Sequence, residues 1–185
     1  EHGIVANDWA DPDTGDRVYS LEDPAHSIIG HPARSHEGVS PRLLGSTTIG
    51  DELVLASAGR SRVFAVSLKD RAAILGAGRM GKAFWFATDS GEFVTSTYYY
   101  DSYPAWVRSW NAERRADRCA GRLWELLVNR SAYLRAMADD RPAEKGFKNL
   151  GRLFPHLLPA EPGPDLYDQM TYTPFGDELT VDFVE

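Results

Sequence analysis

The sequence predicts a mixed α/β fold with an inserted lobe built from a hairpin and helices, and three observations lead to this prediction. An almost wholly apolar run, Val63 to Leu68, has the composition of a buried strand. Helical patterns precede and follow this run. Further along, Ala83 to Tyr99 has the pattern of a hairpin, and Trp-containing helical segments come after it. Because strands that alternate with helices are typical of layered α/β proteins, we expect a sheet with helices packed on it.

The segments around this strand are predicted to be a loop and two helices. The first forty residues contain Asp-Pro-Asp and Thr-Gly-Asp turn signals, which favour an irregular surface loop. A helix is predicted from about Thr47 to Ser57, because apolar residues recur at helical spacing, Ser and Thr supply candidate N-caps, and Gly59 suits a C-terminal stop. After the strand, Asp70 is predicted to cap a short helix that reaches Leu75.

The later segments predict the lobe and a return to the core. In the hairpin, Asp89-Ser90-Gly91 is expected to form the turn. One helix is predicted to start at Pro104, and a second to run from about Ala120 to Met137. A proline-rich linker then precedes a last segment that is expected to open into another element. Residues 1–78 are therefore predicted to be part of the core sheet layer, 79–165 the inserted lobe and linker, and 166–185 the return to the core.

Composition argues against several classes of function. The 185 residues carry a formal net charge of -7, and no segment dense in Lys and Arg offsets it, which argues against nucleic-acid binding. No run approaches the ~18 apolar residues of a membrane helix. Cys119 is the only cysteine, which excludes an internal disulfide and a thiolate metal cluster. The chain lacks an initiator Met and closes on an alternating run, so we expect a piece of a longer protein.

A charged triplet, Lys69-Asp70-Arg71, stands where the predicted core strand ends. Ligands of open α/β sheets bind beyond the carboxyl ends of the strands. In an extended backbone Lys69 and Arg71 would point to one side and Asp70 to the other, so the two cations could clamp a phosphate or sulfate group. The alternative is that both are surface cations paired with carboxylates, and the spacing alone favours this alternative.

Four segments, in order, resemble the alkaline phosphatase superfamily: His2 to Trp9, Ser40 to Leu53, Val63 to Gly78 and Gly91 to Tyr99. Within that superfamily they resemble most closely the type I phosphodiesterase/nucleotide pyrophosphatase branch, and there the periplasmic alkaline phosphatases with a Thr nucleophile. The segment Thr171 to Phe183 fits the same pattern. The resemblance covers nearly the whole chain.

The resemblance implies an α/β/α sandwich around two zinc ions, a covalent phospho-enzyme intermediate, phosphate esters as substrates, and a periplasmic or secreted location. The family's phosphoryl-binding asparagine, lysine and arginine fall on Asn7, Lys69 and Arg71. Fixed donors contribute directly to phosphoryl transfer, because charge in the transition state lies on the non-bridging oxygens. On this interpretation, charges end a core strand because the strand end faces the substrate.

The family's nucleophile and zinc ligands fall outside this chain, so the resemblance predicts no catalytic residue and no metal ligand within it. The histidines have no spacing typical of zinc ligands and are interpreted as surface-loop residues. They are His2, His26, His31, His36 and His156. The chain by itself is therefore expected to be inactive and to hold no zinc at a defined site.

Two classes of function remain open. The first is the substrate-phosphoryl-binding portion of a zinc-dependent phosphate monoester hydrolase, with a nucleotide pyrophosphatase/phosphodiesterase as the alternative. The lysine–arginine pair favours monoesters, because a dianionic terminal phosphate presents one more charged oxygen than a diester. The second class is a non-catalytic lobe that associates with itself, because the loss of central strands would expose sheet edges and apolar faces.

Overall fold

The computed structural model of the chain describes residues 2–31, 38–133, 141–143, 145–146 and 148–185. The chain divides into two compact units, Glu1–Phe86 with Phe93–Ala112 and Ala87–Glu92 with Glu113–Glu185. Strands and helices are mixed along the chain, which confirms the predicted α/β class.

The elements of the described residues are as follows. The strands are β1 Asp8–Ala10, β2 Arg17–Tyr19, β3 Phe64–Ser67, β4 Lys82–Ala87, β5 Glu92–Val94, β6 Leu123–Trp124 and β7 His156–Leu157. The α-helices are α1 Ile49–Ala56, α2 Asp70–Ala77, α3 Ala105–Ala112, α4 Pro164–Met170 and α5 Pro174–Val184. Two short 3₁₀ helices span Arg115–Cys119 and Arg130–Ala132.

The main sheet of the first unit has the strand order β3-β4-β5. β3 and β4 run parallel, with Val66 opposite Phe84, and α2 is the crossover helix between them. Phe84 on β4 and Phe93 on β5 are fully buried and lie in the core. The predicted strand, the helix near residues 47–57 and the helix after Pro104 are confirmed as β3, α1 and α3. The predicted hairpin is also present, but its second strand ends at Val94 instead of Tyr99.

The expectation of a fully buried strand at Val63 to Leu68 was wrong. β3 is half-buried, and the Phe64 side chain on it is 54% exposed. The reason lies in the sheet order, because β3 is the edge strand and β4 is its partner on one side. The apolar composition of a strand does not distinguish a central strand from an edge strand.

The prediction of an irregular loop in the first forty residues was wrong from Asp8 to Tyr19, because β1 and β2 form an antiparallel hairpin with Trp9 opposite Val18. The turn signals that suggested a loop belong to the connection of this hairpin. There the Asp11 N–H donates to the Asp16 carbonyl at 2.8 Å, and Gly15 adopts a φ of 76°. Strands of three residues are too short to show a convincing alternation in sequence, which explains the error.

The helix predicted from Ala120 to Met137 was wrong over its described part, and residues 134–137 lie outside the described residues. Gly121 has a φ of 67°, which interrupts a helical backbone. Two residues later β6 pairs with β7, with Trp124 opposite His156. The Trp124 ring also packs edge-on against Phe154, with centroids 5.0 Å apart. Tertiary packing has therefore overridden a helical pattern.

The proline-rich linker and the last segment contain more regular structure than expected. β7 lies within the linker, and α4 begins at Pro164, a residue well suited to the first position of a helix. The last segment forms α5, which begins at Pro174. In the second unit Tyr167 on α4 donates to the Asp117 carboxylate at 2.5 Å, and Arg115 pairs with Asp182 on α5 at 2.6 Å.

Among the described residues, no helix combines the length and the apolar character needed to cross a lipid bilayer.

A buried carboxylate ties the start of α1 to the end of α2 in the first unit. Thr48 and Asp51 form a capping box, in which Thr48 Oγ1 accepts from the Asp51 N–H at 3.1 Å and Asp51 Oδ2 accepts from the Thr48 N–H at 2.9 Å. Asp51 Oδ1 also accepts the N–H groups of Arg79 and Met80 at 2.9 and 2.8 Å. Although burial by itself raises the pKa of Asp51, these backbone hydrogen bonds hold it below its ordinary value.

We expect Gly78→Ala to destabilise this junction strongly. Gly78 has φ 66° and ψ -150°, a region that is essentially restricted to glycine, and a Cβ there would overlap Asp51 Oδ2 and Thr48 Oγ1. The free energy of unfolding should fall by about 2–4 kcal/mol, measured from the urea-unfolding midpoint. Gly59→Ala is the matched control, because Gly59 has a φ of 80° but open space around it. Equal shifts for the two variants would contradict the proposed close packing at Gly78.

Candidate functional site

The three site residues predicted from the sequence all lie in the first unit. Asn7 precedes β1 directly and is exposed. Lys69 lies two residues beyond the end of β3, and Arg71 lies in the first turn of α2. Lys69 is exposed, whereas Arg71 is half-buried. Both the lysine and the arginine therefore follow the carboxyl end of β3 along the backbone.

The local backbone at this strand end differs from the expectation. Lys69, and not Asp70, is the N-cap residue of α2, with an extended φ of -116° and ψ of 133°. Asp70 is already the first residue of the helix. Strand alternation does not put Lys69 and Arg71 on one side, because the backbone turns helical between them. The chain accommodates the turn through the Lys69 N–H, which donates to Ser67 Oγ at 3.2 Å, and through the Lys69 carbonyl, which accepts from Ala73 at 3.1 Å.

Tyr19 holds the Arg71 guanidinium from the neighbouring hairpin, and sequence reasoning missed it. Arg71 Nη1 donates to Tyr19 Oη at 2.9 Å, and Tyr19 Oη donates to Asp70 Oδ2 at 2.6 Å. The other oxygen of that carboxylate, Oδ1, accepts the Arg71 backbone N–H at 2.8 Å. The Arg71 guanidinium carbon lies 5.7 Å from the centroid of the Tyr19 ring. Tyr19, Asp70 and Arg71 therefore form one hydrogen-bonded network.

The hairpin that carries Tyr19 also carries Asn7. The Asn7 carbonyl accepts the Ser20 N–H at 3.0 Å, and Asp8 lies opposite Tyr19 in the strand pair. An ion pair of 2.6 Å between Arg17 and Asp8 closes the same hairpin. The hairpin therefore links the Asn7 backbone to Tyr19, whose hydroxyl accepts from Arg71, although Asn7 and Arg71 are far apart in sequence. The turn signal between residues 11 and 16, interpreted as a hairpin turn, is the sequence feature that would have brought Tyr19 to attention.

The surroundings of Tyr19 favour the protonated form of its phenol. Burial, and then the hydrogen bond to the Asp70 carboxylate, raise the pKa of Tyr19 above its ordinary value, and Arg71 only partly offsets this rise. A protonated phenol has one hydrogen to donate, and the carboxylate can only accept it. Since arginine can only donate, the direction of both hydrogen bonds at Tyr19 is determined.

A second polar cluster in the first unit has a structural role. The buried Asp23 carboxylate accepts from Ser40 Oγ at 2.5 Å and contacts His26 Nδ1 at 2.7 Å. The carboxylate lies between the hydroxyl and the imidazole, so this histidine is not placed to activate the serine as in a hydrolase triad. Although burial by itself raises the pKa of Asp23, the bonds from Ser40 and His26 hold it below its ordinary value. The cluster joins the two ends of the segment between residues 23 and 40.

The described residues do not form a metal site. Throughout residues 2–31, 38–133 and the described part of 141–185, no group of three or more His, Cys, Asp or Glu side chains is arranged to hold a metal ion. Two further histidines have local backbone partners: His2 Nδ1 accepts the Ile4 N–H at 3.1 Å, and His156 Nδ1 lies 2.7 Å from the Leu150 carbonyl. His156 is buried, so the expectation that it is a surface-loop residue was wrong, and His36 lies outside the described residues. Cys119 is also buried, and burial raises the pKa of its thiol, so it is a poor nucleophile.

The fold of this chain is similar to part of the fold of a solved alkaline phosphatase. The crystal structure of the wild-type alkaline phosphatase PafA matches 98% of this chain and 35% of its own, with a TM-score of 0.77 and 38% sequence identity. A second PafA structure, in which a threonine, an asparagine, a lysine and an arginine are replaced, matches with a TM-score of 0.76 and 35% identity.

The sequence is similar to particular alkaline phosphatases as well. It is 36% identical over 187 residues to alkaline phosphatase PhoV of Synechococcus elongatus and 36% identical over 192 residues to PafA of Elizabethkingia meningoseptica. A third relative, from Myroides odoratus, is named a calcium-transporting ATPase and is 33% identical over 186 residues. All of this chain is covered in each case, but it spans only 34% of each relative. No family profile matches the chain.

Proposed function

We propose that this chain supplies the phosphoryl-binding side chains of a zinc-dependent phosphate monoester hydrolase, with Asn7, Lys69 and Arg71 as the donors. The observation that carries the proposal is the position of Lys69 and Arg71 just beyond the carboxyl end of β3, where ligands of α/β sheets bind. The likeness of the whole chain to alkaline phosphatases supports it.

The substituted PafA structure also supports these three residues. Its replaced asparagine, lysine and arginine have the same order and the same spacing in sequence as Asn7, Lys69 and Arg71. The replaced threonine precedes that asparagine by more residues than precede Asn7 in this chain. We infer that the nucleophile of the complete protein, a threonine, lies outside the chain, which here provides binding groups.

The three donors differ in what they offer to a phosphoryl group. Arg71 presents a planar fork of N–H groups that suits two oxygens at once, and Lys69 presents a compact positive charge. The Asn7 side-chain amide adds a neutral donor. Phosphoryl transfer spreads negative charge over the non-bridging oxygens, so donors that are already in place stabilise the transition state without reorganisation.

The charge of the site favours monoesters over diesters. A terminal phosphate with two negative charges has three non-bridging oxygens, whereas a diester has two and a single charge. Two cations together with an amide therefore match a monoester better. We propose that the protein is closest to the periplasmic alkaline phosphatases of the type I phosphodiesterase/nucleotide pyrophosphatase branch, with a nucleotide pyrophosphatase/phosphodiesterase as the alternative function. We expect a periplasmic or secreted location.

Two zinc ions complete the proposed active site of the whole protein. The described residues of this chain are not suited to hold these zinc ions, because no cluster of His, Cys, Asp or Glu side chains among them is arranged as a metal site. The part assigned to this chain is therefore to bind and orient the phosphoryl group, and no step of the metal chemistry is assigned to its residues. In the same proposal residues 79–165 form a lobe inserted in the phosphatase domain.

Assay of the complete protein that contains this chain tests the proposal. We expect a higher kcat/KM for p-nitrophenyl phosphate than for bis-p-nitrophenyl phosphate, because the extra charged oxygen of the monoester engages the cations. A chelator should abolish both activities and zinc should restore them. A preference for the diester would support the phosphodiesterase alternative, and a lack of both activities would overturn the proposal.

A further inference from the structure

We propose that Tyr19 is a positioning residue that holds the Arg71 guanidinium toward the phosphoryl group, with Asp70 as the anchor of its hydroxyl. The inference rests on the proposed function of Arg71. It adds a residue that does not itself touch the substrate, and it gives the middle charge of the Lys69-Asp70-Arg71 triplet a role.

The hydrogen bonds at Tyr19 define the position of one end of the guanidinium. Tyr19 Oη accepts from Arg71 Nη1 at 2.9 Å while it donates its only hydrogen to Asp70 Oδ2 at 2.6 Å. A carboxylate cannot donate and a guanidinium cannot accept, so no other arrangement of the hydrogens satisfies both contacts. Because Tyr19 is 5% exposed, its ring cannot swing away without opening the core of the unit.

The hydrogen bond to Tyr19 restrains Arg71 but uses only one N–H group of its guanidinium. A guanidinium has five N–H donors, and Tyr19 accepts one of them. An arginine side chain otherwise loses considerable rotamer freedom when it binds, and a restraint present before binding reduces that cost. Asp70 supports this restraint through Tyr19, because its Oδ2 accepts the Tyr19 hydroxyl hydrogen while its Oδ1 accepts the Arg71 backbone N–H.

Tyr19 also couples two of the proposed donors. The strand pair that places Tyr19 opposite Asp8 fixes the residue directly after Asn7, and the Asn7 carbonyl is bonded to the Ser20 N–H at 3.0 Å. Because backbone hydrogen bonds hold the β1–β2 hairpin itself, the Tyr19 hydroxyl determines where the Arg71 guanidinium lies relative to Asn7. The spacing between the Asn7 and Arg71 donors depends on this contact.

The test is Tyr19→Phe in the complete protein, assayed with p-nitrophenyl phosphate. The variant keeps the buried ring and removes only the hydroxyl, so we expect a folded protein with kcat/KM lowered about 10-fold, since a charge-assisted hydrogen bond that orients a donor is lost. Tyr98→Phe is the matched control, because the Tyr98 hydroxyl bonds to the Arg79 carbonyl at 3.2 Å in the same unit and outside this network. It should change kcat/KM less than twofold.

Combining the variants separates a positioning role from a general structural one. If Tyr19 acts through Arg71, Tyr19→Phe should have no further effect once Arg71→Ala is present, but should keep its full effect in a Lys69→Ala background. Equal additional losses in both backgrounds, or an unchanged kcat/KM in the single variant, would overturn the inference. If Arg71→Ala itself has no effect, the proposed function fails instead, so the two failures are distinguishable.

Discussion

Replacing Lys69 or Arg71 by alanine in the complete protein should lower kcat/KM for a phosphate monoester by about 10²-fold or more in each case. The magnitude is that of losing one preorganised donor of charge at a reacting centre. Hydrolysis of a diester should suffer less, because a diester has one fewer charged oxygen for the cations to meet. The measurement is kcat/KM for p-nitrophenyl phosphate and for its bis ester, at one salt concentration.

Arg60→Ala is the control for the arginine variant, because Arg60 is an exposed arginine of the same unit that donates to the Ser57 carbonyl. It should leave both activities unchanged. Equal losses for the monoester and the diester in the Lys69 and Arg71 variants would indicate that the pair has a structural role. Because Arg71 is half-buried, thermal unfolding should be used to check that the Arg71→Ala variant is folded.

The core of the first unit could be predicted because its signals are local. α1 is capped by Thr48 within a short sequence window, and β3 is a compact apolar run. The crossover from β3 through α2 to β4 follows from the order of these elements. The charged triplet that follows the apolar run likewise indicated where the strand ends, so the positions of Lys69 and Arg71 after β3 could be predicted.

The network around Arg71 could not be predicted, because its members are distant in sequence. Tyr19 and Asp70 are 51 residues apart, yet their side chains are 2.6 Å apart. The hairpin that brings Tyr19 there has strands of only three residues. The helix wrongly predicted from Ala120 failed for a related reason, since the partner of β6 is β7, more than thirty residues later. In both cases the structure depends on contacts between residues that are distant in sequence, and a local sequence pattern does not indicate such contacts.

The isolated 185-residue chain should have no phosphatase activity and should hold no zinc at a defined site. Asn7, Lys69 and Arg71 can donate hydrogen bonds to a phosphoryl group, but an amide and two cations do not attack phosphorus. Hydrolysis that depends on zinc needs several Asp or His ligands with open positions on the ions, and the described residues contain no such cluster. The chain also spans only 34% of the alkaline phosphatases it matches.

The experiment purifies the isolated chain, verifies its fold by circular dichroism, and assays p-nitrophenyl phosphate with and without added zinc, alongside metal analysis. The Arg71→Ala form of the same chain shows whether any turnover comes from a contaminating phosphatase. Contaminating activity would be the same in both preparations, whereas activity of the chain itself would be lost with the arginine. Zinc-dependent turnover that disappears in the Arg71→Ala chain would show that a complete active site lies within these 185 residues and that its nucleophile and metal ligands have been misplaced.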